Sequence, residues 1–307
     1  ELALRYGRGG GNDVFSAYEN HIAKLIKRDF IGNSDVYSLA LKSFKEHTGT
    51  DELPFKKITR GWVEDYETEM RKKGRSVTTI SMYLRTLKHI LTEKRMPSPF
   101  GKNGFHIKAG SGRKISLTKS QINDVLMKHP IPAGSVADKM RDLFYFSYLA
   151  NGMNLIDIVR LRWKDIISTD EIFYKRMKTD RTNATEREIF VPYTPPMKAI
   201  VKKWGHEDNP YIFGLVQRGA KTKDIKDASR ILCNVMNKKL RAIAKATGLP
   251  PISSYSARHS FASVLMTNKT NLKLISQLLG HSRLSTTENY LKDLDKEDRR
   301  AANELLY

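Results

Sequence analysis

The sequence predicts a mainly α-helical protein of two domains, with one small antiparallel β-sheet in the second domain. Apolar residues recur at the three- and four-residue spacing of amphipathic helices through most of the chain. The stretch 97–114 lacks that spacing, and its Pro, Gly and Lys content is typical of a linker. Two short runs in the second half alternate between apolar and polar residues, as strands do. A chain of 307 residues allows each domain a core of its own.

The first domain is predicted to be a bundle of four helices within residues 13–96. Residues 1–12 contain four glycines and two arginines, and we interpret them as a flexible basic lead-in. Ser34 is the predicted N-cap of the second helix, and Ser76 opens the fourth. The four apolar stripes begin at Phe15, Tyr37, Trp62 and Ile80.

The second domain is predicted to span residues 115–307. Thr118 followed by Gln121 indicates its first helix start. The alternating runs 172–178 and 188–191 predict a β-hairpin with an unusually long polar loop. The other predicted helices lie at 138–150, 154–161, 196–204 and 225–247, with further helices between Ser253 and Leu294.

Composition points to a polyanionic partner. The chain has 54 Lys and Arg against 33 Asp and Glu, a net charge of +21. An excess of this size repels itself in the folded state unless a polyanion is bound. Both halves of the chain are basic, so we expect a nucleic acid to be gripped from two sides. A basic membrane-surface protein is the competing class, but no long amphipathic helix or lipidation signal supports it.

Other segment types are absent from the sequence. No stretch approaches the roughly 18 apolar residues of a membrane span, and no signal peptide opens the chain. We therefore expect an intracellular, cytoplasmic and DNA-associated protein. The single cysteine excludes an internal disulfide framework and a CxxC metal site.

The stretch from Ser253 to Leu294 contains the residues best suited to chemistry on phosphate. Gly280 predicts a helix stop, which fixes His281 just past a helix end. The sequence Ser-Thr-Thr-Glu that follows is a capping box, so Tyr290 lies about one turn inside a short helix. Arg258 is the third residue of this group, with His281 and Tyr290.

These residues resemble the tyrosine site-specific recombinases, the phage-type integrases, and in particular the integrases of mobile or conjugative elements. The resemblance is carried by Arg258-His259, by Leu279-Gly280-His281-Ser282 and by Tyr290, nine residues after the histidine. It covers residues 14–294 in organisation, with specific motifs only from Ser253 onward. It implies a two-domain clamp, in which a helical core-binding domain and an α+β catalytic domain close around DNA. No metal or other cofactor is implied.

The resemblance also implies roles for the site residues. Tyr290 would be the nucleophile that forms a 3′-phosphotyrosyl intermediate and frees a 5′ hydroxyl. Arg258 would hold a non-bridging phosphate oxygen, and His281 would donate a hydrogen bond to the same group. Lys178, in the first hairpin strand, would give a proton to the leaving oxygen.

The chain departs from the family pattern at two positions. Where most members have an arginine shortly after a glycine, this chain has Asn154. Some integrases of mobile elements that lack this arginine carry one two residues before the hairpin lysine, and Arg176 occupies that place here, so the resemblance makes it our candidate replacement. Alternate strand residues point to the same face, so Arg176 and Lys178 could reach one phosphate; Arg160 and Arg162 are rivals. Tyr255 stands where His or Lys is usual, and we expect its hydroxyl to orient the phosphate.

The expected partner is double-stranded DNA. The protein would act as a homotetramer on paired sites through a Holliday-junction intermediate, and would be a monomer or dimer when free. Accessory directionality proteins and host DNA-bending proteins are further candidate partners. The predicted DNA-binding residues are Arg75, Arg85, Lys88, Lys94, Arg95 and Lys114.

Three alternatives remain open from the sequence. The first is a catalytically inactive DNA-binding homologue, which the residues Asn154 and Tyr255 would fit. The second is a DNA-relaxing enzyme like the type IB topoisomerases, which uses related chemistry without paired sites. The third is an RNA-binding or ribosomal protein, which would form no tyrosine linkage.

Overall fold

The chain folds into two compact units, Glu1–Arg113 and Lys114–Tyr307, each with its own hydrophobic core. It is mostly helical with one small sheet, as predicted. Within the described residues of this computed structural model, no helix is both long and apolar enough to cross a lipid bilayer. The residues that the structure describes are 13–110, 114–176, 188–281, 284 and 287.

The first unit contains the four predicted helices. Asp13 caps the first by accepting hydrogen bonds from the backbone N–H groups of Phe15 and Ser16. Ser76 caps the fourth through the N–H of Thr79, as its position in the sequence suggests. The apolar stripes meet in a core that includes several buried aromatic rings. The helices are α1 (Val14–Lys27), α2 (Ile31–Thr48), α3 (Arg60–Lys72) and α4 (Val77–Glu93).

The predicted start of α2 is wrong by three residues. Ser34 does not cap the helix; it is buried, and its hydroxyl donates to the carbonyl of Ile31 at 2.8 Å. The helix begins earlier because the Phe30 carbonyl already accepts from the N–H of Ser34 at 3.0 Å. A serine that bonds back to a carbonyl one turn earlier looks the same in sequence as an N-cap.

Part of the predicted linker is packed into the first unit. Phe100 and Phe105 are buried and their rings meet edge to face, with centroids 6.2 Å apart. Both belong to the same core as α1–α4. The aromatic pair lies among Pro, Gly and Lys residues, so composition alone hides its burial.

The second unit is helical around a three-stranded antiparallel sheet of order β1-β2-β3. Thr118 and Gln121 each accept from the other's backbone N–H, at 2.9 and 3.1 Å, and open a single wide turn, Gln121–Leu126. The helices are α5 (Val136–Leu149), α6 (Leu155–Arg160), α7 (Pro195–Trp204), α8 (Thr222–Thr247), α9 (Ser256–Thr267) and α10 (Leu272–Leu278).

The sheet positions the residue that follows β2. Its strands are β1 (Ile166–Ser168), β2 (Glu171–Lys175) and β3 (Glu188–Pro192). In the β2–β3 register, Ile172 faces Val191 and Tyr174 faces Ile189, and these four side chains are buried. The short strand β1 was not predicted, because three residues are too few to display an alternating pattern. Residues 177–187, which include the whole predicted loop and the last two residues of the first predicted strand, lie outside the described part of the chain.

Candidate active site

Arg258 lies in the first turn of α9 and is 3% exposed. Its guanidinium donates from Nη1 to the carbonyl of Gly152 at 2.9 Å and from Nη2 to that of Leu279 at 2.5 Å. Gly152 has φ +66°, and a Cβ there would lie 2.8 Å from Cα and Cγ of Arg258. The arginine therefore needs a glycine at 152 both for backbone conformation and for space.

The loop after α10 forms the opposite side of the site. Gly280 has φ +63°, its N–H bonds the carbonyl of Gln277 at 2.8 Å, and the N–H of His281 bonds that of Ser276 at 2.9 Å. These two bonds close the helix end as the sequence predicts. A Cβ on Gly280 would lie 2.6 Å from Cδ1 of Ile189 and 3.0 Å from Cδ of Arg176. The turn is thus packed directly against the sheet and against Arg176.

Arg176 directly follows β2 and is 6% exposed. Its Nη1 donates to the carbonyls of Leu279 and Gly280, at 3.0 and 2.9 Å. Its Nε is buried and bonds no atom of the described residues. Arg176 and Arg258 therefore meet at the carbonyl of Leu279, which accepts from both.

His281 extends this cluster. Its Nε2 lies 3.0 Å from Nη2 of Arg258, and its Nδ1 lies 2.8 Å from Oγ1 of Thr287. A guanidinium can only donate, so we assign Nε2 as the acceptor and place the ring proton on Nδ1, where it is donated to the buried Thr287. The threonine holds the ring by its far nitrogen and leaves Nε2 on the side of the arginine.

A buried phenol lies behind the two arginines. Burial raises the pKa of Tyr174 well above its ordinary value, and the charge of Asp157 acts in the same direction. The charges of Arg176 and Arg258 oppose this shift and do not overcome it. Tyr174 therefore stays neutral.

The structure brings three of the six predicted catalytic residues together: Arg176, Arg258 and His281. Tyr255 is the N-terminal cap residue of α9 and is 51% exposed, with its ring edge-on to that of His259 at 4.6 Å. Its hydroxyl bonds no other side chain in the part of the chain that the structure describes. Lys178, Tyr290 and the two capping residues of the predicted box, Ser285 and Glu288, lie outside the described residues.

The rival arginines and Asn154 have other surroundings. Arg162 stacks over the ring of Tyr211 at 5.0 Å and donates to its hydroxyl at 3.1 Å. Arg160 lines a separate pocket of the second unit, together with Arg162 and Lys175. Asn154 is the residue before α6, where its side chain makes no capping bond. Of the three candidate arginines, Arg176 alone bonds the turn that Arg258 bonds, among the described contacts.

Sequence reasoning missed the residues that hold the cluster in place. In the sequence, Thr287 is only one of a Thr-Thr pair before the tyrosine. Its hydrogen bond to His281 depends on tertiary packing, which the sequence does not indicate. The carbonyls of Gly152 and Leu279 carry no side-chain signal at all. Gly152 and Gly280, which leave room for Arg258 and Arg176, are the sequence features that accompany these contacts.

The predicted DNA-binding residues are exposed. Five of them belong to the first unit, on α4 or beside its ends, and none forms an ion pair with a described acidic residue. Arg85 and Lys88 line a surface depression with Lys102 and His106. Lys114, in the second unit, is exposed as well. The five residues of the first unit are Arg75, Arg85, Lys88, Lys94 and Arg95.

Comparison with known families gives two matches that together cover most of the chain. Residues 116–297 match the phage integrase family, and residues 13–93 match the phage integrase SAM-like domain. Each match falls within one of the two structural units.

Curated relatives are tyrosine recombinases. The XerC protein of Rickettsia canadensis is 31% identical over 143 residues, 45% of each chain. The XerA protein of Pyrococcus horikoshii is 24% identical over 237 residues, 76% of this chain and 75% of that one. The chain spans about half the length of some of these relatives: 45% for the Rickettsia protein and 55% for the XerD protein of Lacticaseibacillus casei.

Solved structures with the same fold include recombinases bound to DNA. The Tn1549 transposon integrase in complex with transposon right end DNA has a TM-score of 0.68 at 17% identity, with 96% of this chain and 99% of that chain covered. The XerH recombinase in a post-cleavage complex with palindromic difH substrate has a TM-score of 0.66 at 16% identity, covering 99% and 93%.

Proposed function

The chain belongs to the phage integrase family, and from this we propose that it is a site-specific DNA recombinase. It would cleave and rejoin DNA strands by transesterification through a 3′-phosphotyrosyl intermediate at Tyr290. The observation that carries the proposal is the meeting of Arg176, Arg258 and His281 around the carbonyl of Leu279. Two cations and an imidazole fixed at one point suit a scissile phosphate.

The arginines would bind the non-bridging oxygens. Their described acceptors are backbone carbonyls and, for Arg258, Nε2 of His281, and these bonds orient the guanidinium groups. Nε of Arg176 has no bond to a described residue, so it is a donor available to a phosphate oxygen. This supports Arg176 in the role that Asn154 cannot fill.

The reaction would need two proton movements. The phenol of Tyr290 passes its proton to Nε2 of His281, to a water or to the phosphate itself as its oxygen attacks phosphorus, and the bond from phosphorus to the 5′ oxygen breaks. We assign the proton delivered to that oxygen to Lys178, and a hydrogen bond to the phosphoryl group to His281, which would donate from Nε2 once that nitrogen is protonated. Tyr255, exposed at the start of α9, would orient the phosphate through its hydroxyl.

The two units would share the work of holding DNA. We propose residues 13–96 as a core-binding domain, 97–114 as a connecting strap and 115–307 as the catalytic domain. The exposed basic residues of the first unit and Lys114 would bind backbone phosphates, a contact that carries affinity and little sequence information. A homotetramer on two duplexes would complete recombination, because exchange needs two sites.

Covalent trapping tests the proposal. The substrate is a library of short duplexes with a randomised centre, each nicked beside the centre. After cleavage the short fragment that carries the freed 5′ hydroxyl diffuses away, which traps the protein on DNA. We expect an adduct that survives denaturing electrophoresis with the wild type and with Tyr193→Phe, and none with Tyr290→Phe. An adduct on Tyr290→Phe, or none on the wild type despite DNA binding, would overturn it.

Plasmid relaxation separates recombination from topoisomerase activity. A recombinase needs paired sites, so we expect recovered target sequences to support exchange between two duplexes and little relaxation of a plasmid that lacks them. Efficient relaxation of any supercoiled plasmid would favour the topoisomerase alternative instead.

A further inference from the structure

The first unit contains a cluster of potential metal ligands that recombination chemistry does not use. His21 lies on α1, and His89 and Glu93 lie on α4, and their ligand atoms are all within 4.8 Å of one another. His89 and Glu93 are four residues apart, so they share a face of α4. Two facing helices thus present two imidazoles and a carboxylate to one point.

The contacts within the cluster fit a shared cation. Nδ1 of His21 lies 2.7 Å from Oε2 of Glu93, and the rings of His21 and His89 are 4.9 Å apart at their centroids. Tetrahedral zinc with bonds of about 2.0–2.2 Å requires ligand atoms about 3.3 Å apart. The separations between the ligand atoms would need to change by less than the length of a C–C bond to reach this spacing. The ring of His89 also lies edge to face with that of Tyr37, at 5.9 Å between centroids, but the residue is exposed, so water can reach the cluster and fill a fourth position.

We propose that His21, His89 and Glu93 form a binding site for a divalent transition-metal ion, Zn²⁺ being the best fit, which would link α1 to α4. Imidazole ligands select zinc and its transition-metal neighbours over Mg²⁺ and Ca²⁺, which prefer all-oxygen sites. Nδ1 of His21, which now bonds Glu93, would carry the metal, and the ring proton would move to Nε2. The site is independent of the proposed strand cleavage.

Replacement of Lys24 and replacement of a ligand should change the zinc affinity in opposite directions. Its Nζ bonds Oε1 of Glu93 at 3.0 Å, so it competes with a metal for the carboxylate. Replacing it with Met removes this competitor and a repelling charge. We therefore expect Lys24→Met to bind zinc more tightly than the wild type, whereas loss of a ligand weakens binding.

The experiment is calorimetric titration of the full chain with ZnCl₂ at pH 7.5, after removal of metals with a chelator and dialysis. We expect His89→Gln to lower the zinc association constant by more than about tenfold. His106→Gln, an exposed histidine of the same unit outside the cluster, should bind as the wild type does. Zinc should also raise the melting temperature of the wild type and of His106→Gln, and not that of His89→Gln.

Equal zinc affinity and stoichiometry in the wild type and His89→Gln would overturn the site, since any bound zinc would then lie elsewhere. Absence of zinc binding to the wild type would overturn it as well. His89 is exposed, so the metal-free variant should melt with the wild type, which separates loss of the site from loss of the fold.

Discussion

Arg176 and Arg258 donate hydrogen bonds to one and the same acceptor, the backbone oxygen of Leu279. One arginine follows a strand and the other opens a helix, so the second unit brings two distant segments together at this oxygen. Two guanidinium groups held this close repel each other, and carbonyls offset that only in part. Binding a phosphodiester between them would relieve the repulsion, so this arrangement suits the DNA substrate of the proposed function.

The first prediction concerns the replacement arginine. Arg176→Lys removes the guanidinium group, whose Nη1 bonds two carbonyls and whose Nε has no described partner. We therefore expect the rate of strand cleavage to fall about 10²-fold or more. Arg162→Lys is the matched control, since Arg162 contacts Tyr211 and not the turn. Single-turnover cleavage of a nicked duplex measures both. Loss of cleavage in Arg162→Lys alone would reassign the role to Arg162.

The second prediction separates backbone strain from crowding. Gly280 and Gly248 both have positive φ, +63° and +70°, but a Cβ on Gly248 would meet nothing within 4 Å. Both alanine variants carry the left-handed cost of about 1–2 kcal/mol. Gly280→Ala also displaces Ile189 or Arg176, so we expect it to be about 1–3 kcal/mol less stable than Gly248→Ala. Denaturant unfolding compares the two.

Cleavage by these variants gives a second comparison. Because Arg176 is displaced, Gly280→Ala should be inactive in strand cleavage even at temperatures where it is folded, whereas Gly248→Ala should remain active. Equal stability of the two variants would mean that the turn after α10 accommodates the added methyl group without displacing Arg176.

The third prediction concerns the residue that orients the histidine. Thr287→Val keeps the shape and removes the acceptor for Nδ1 of His281, so the ring loses its fixed tautomer. We expect cleavage about tenfold or more slower, with DNA affinity unchanged. Thr287→Ser restores the hydroxyl and should recover most of the rate. Equal rates for the Val and Ser variants would show that the hydroxyl has no part in orientation.

Local sequence signals predicted the local features well. Ser76 and the glycine at 280 act within one turn of helix, so their roles follow from neighbouring residues. The expectation that Arg258 and His281 lie together came from a family resemblance, and the structure has them 3.0 Å apart.

Long-range contacts could not be predicted in this way. The bond of Arg176 to Leu279, the bond of Thr287 to His281 and the burial of Phe100 each depend on how segments pack after folding. The alternating run 172–178 predicted that Arg176 and Lys178 share a face, but it could not indicate which backbone groups Arg176 would contact. The misplaced start of α2 has the same origin, because packing buried Ser34 inside the helix.

The fourth prediction tests the proposed DNA contact of the first unit. Lys88 is exposed on α4 without an ion pair to a described residue, whereas Lys42 on α2 lies 3.9 Å from Glu46. If Lys88 binds a phosphate, Lys88→Ala should reduce the slope of log binding constant against log salt by about 0.9. Lys42→Ala should leave the slope unchanged. Fluorescence anisotropy with a random-sequence duplex at several salt concentrations gives both slopes. Equal slopes for wild type and Lys88→Ala would mean that this face of α4 does not lie on the DNA backbone.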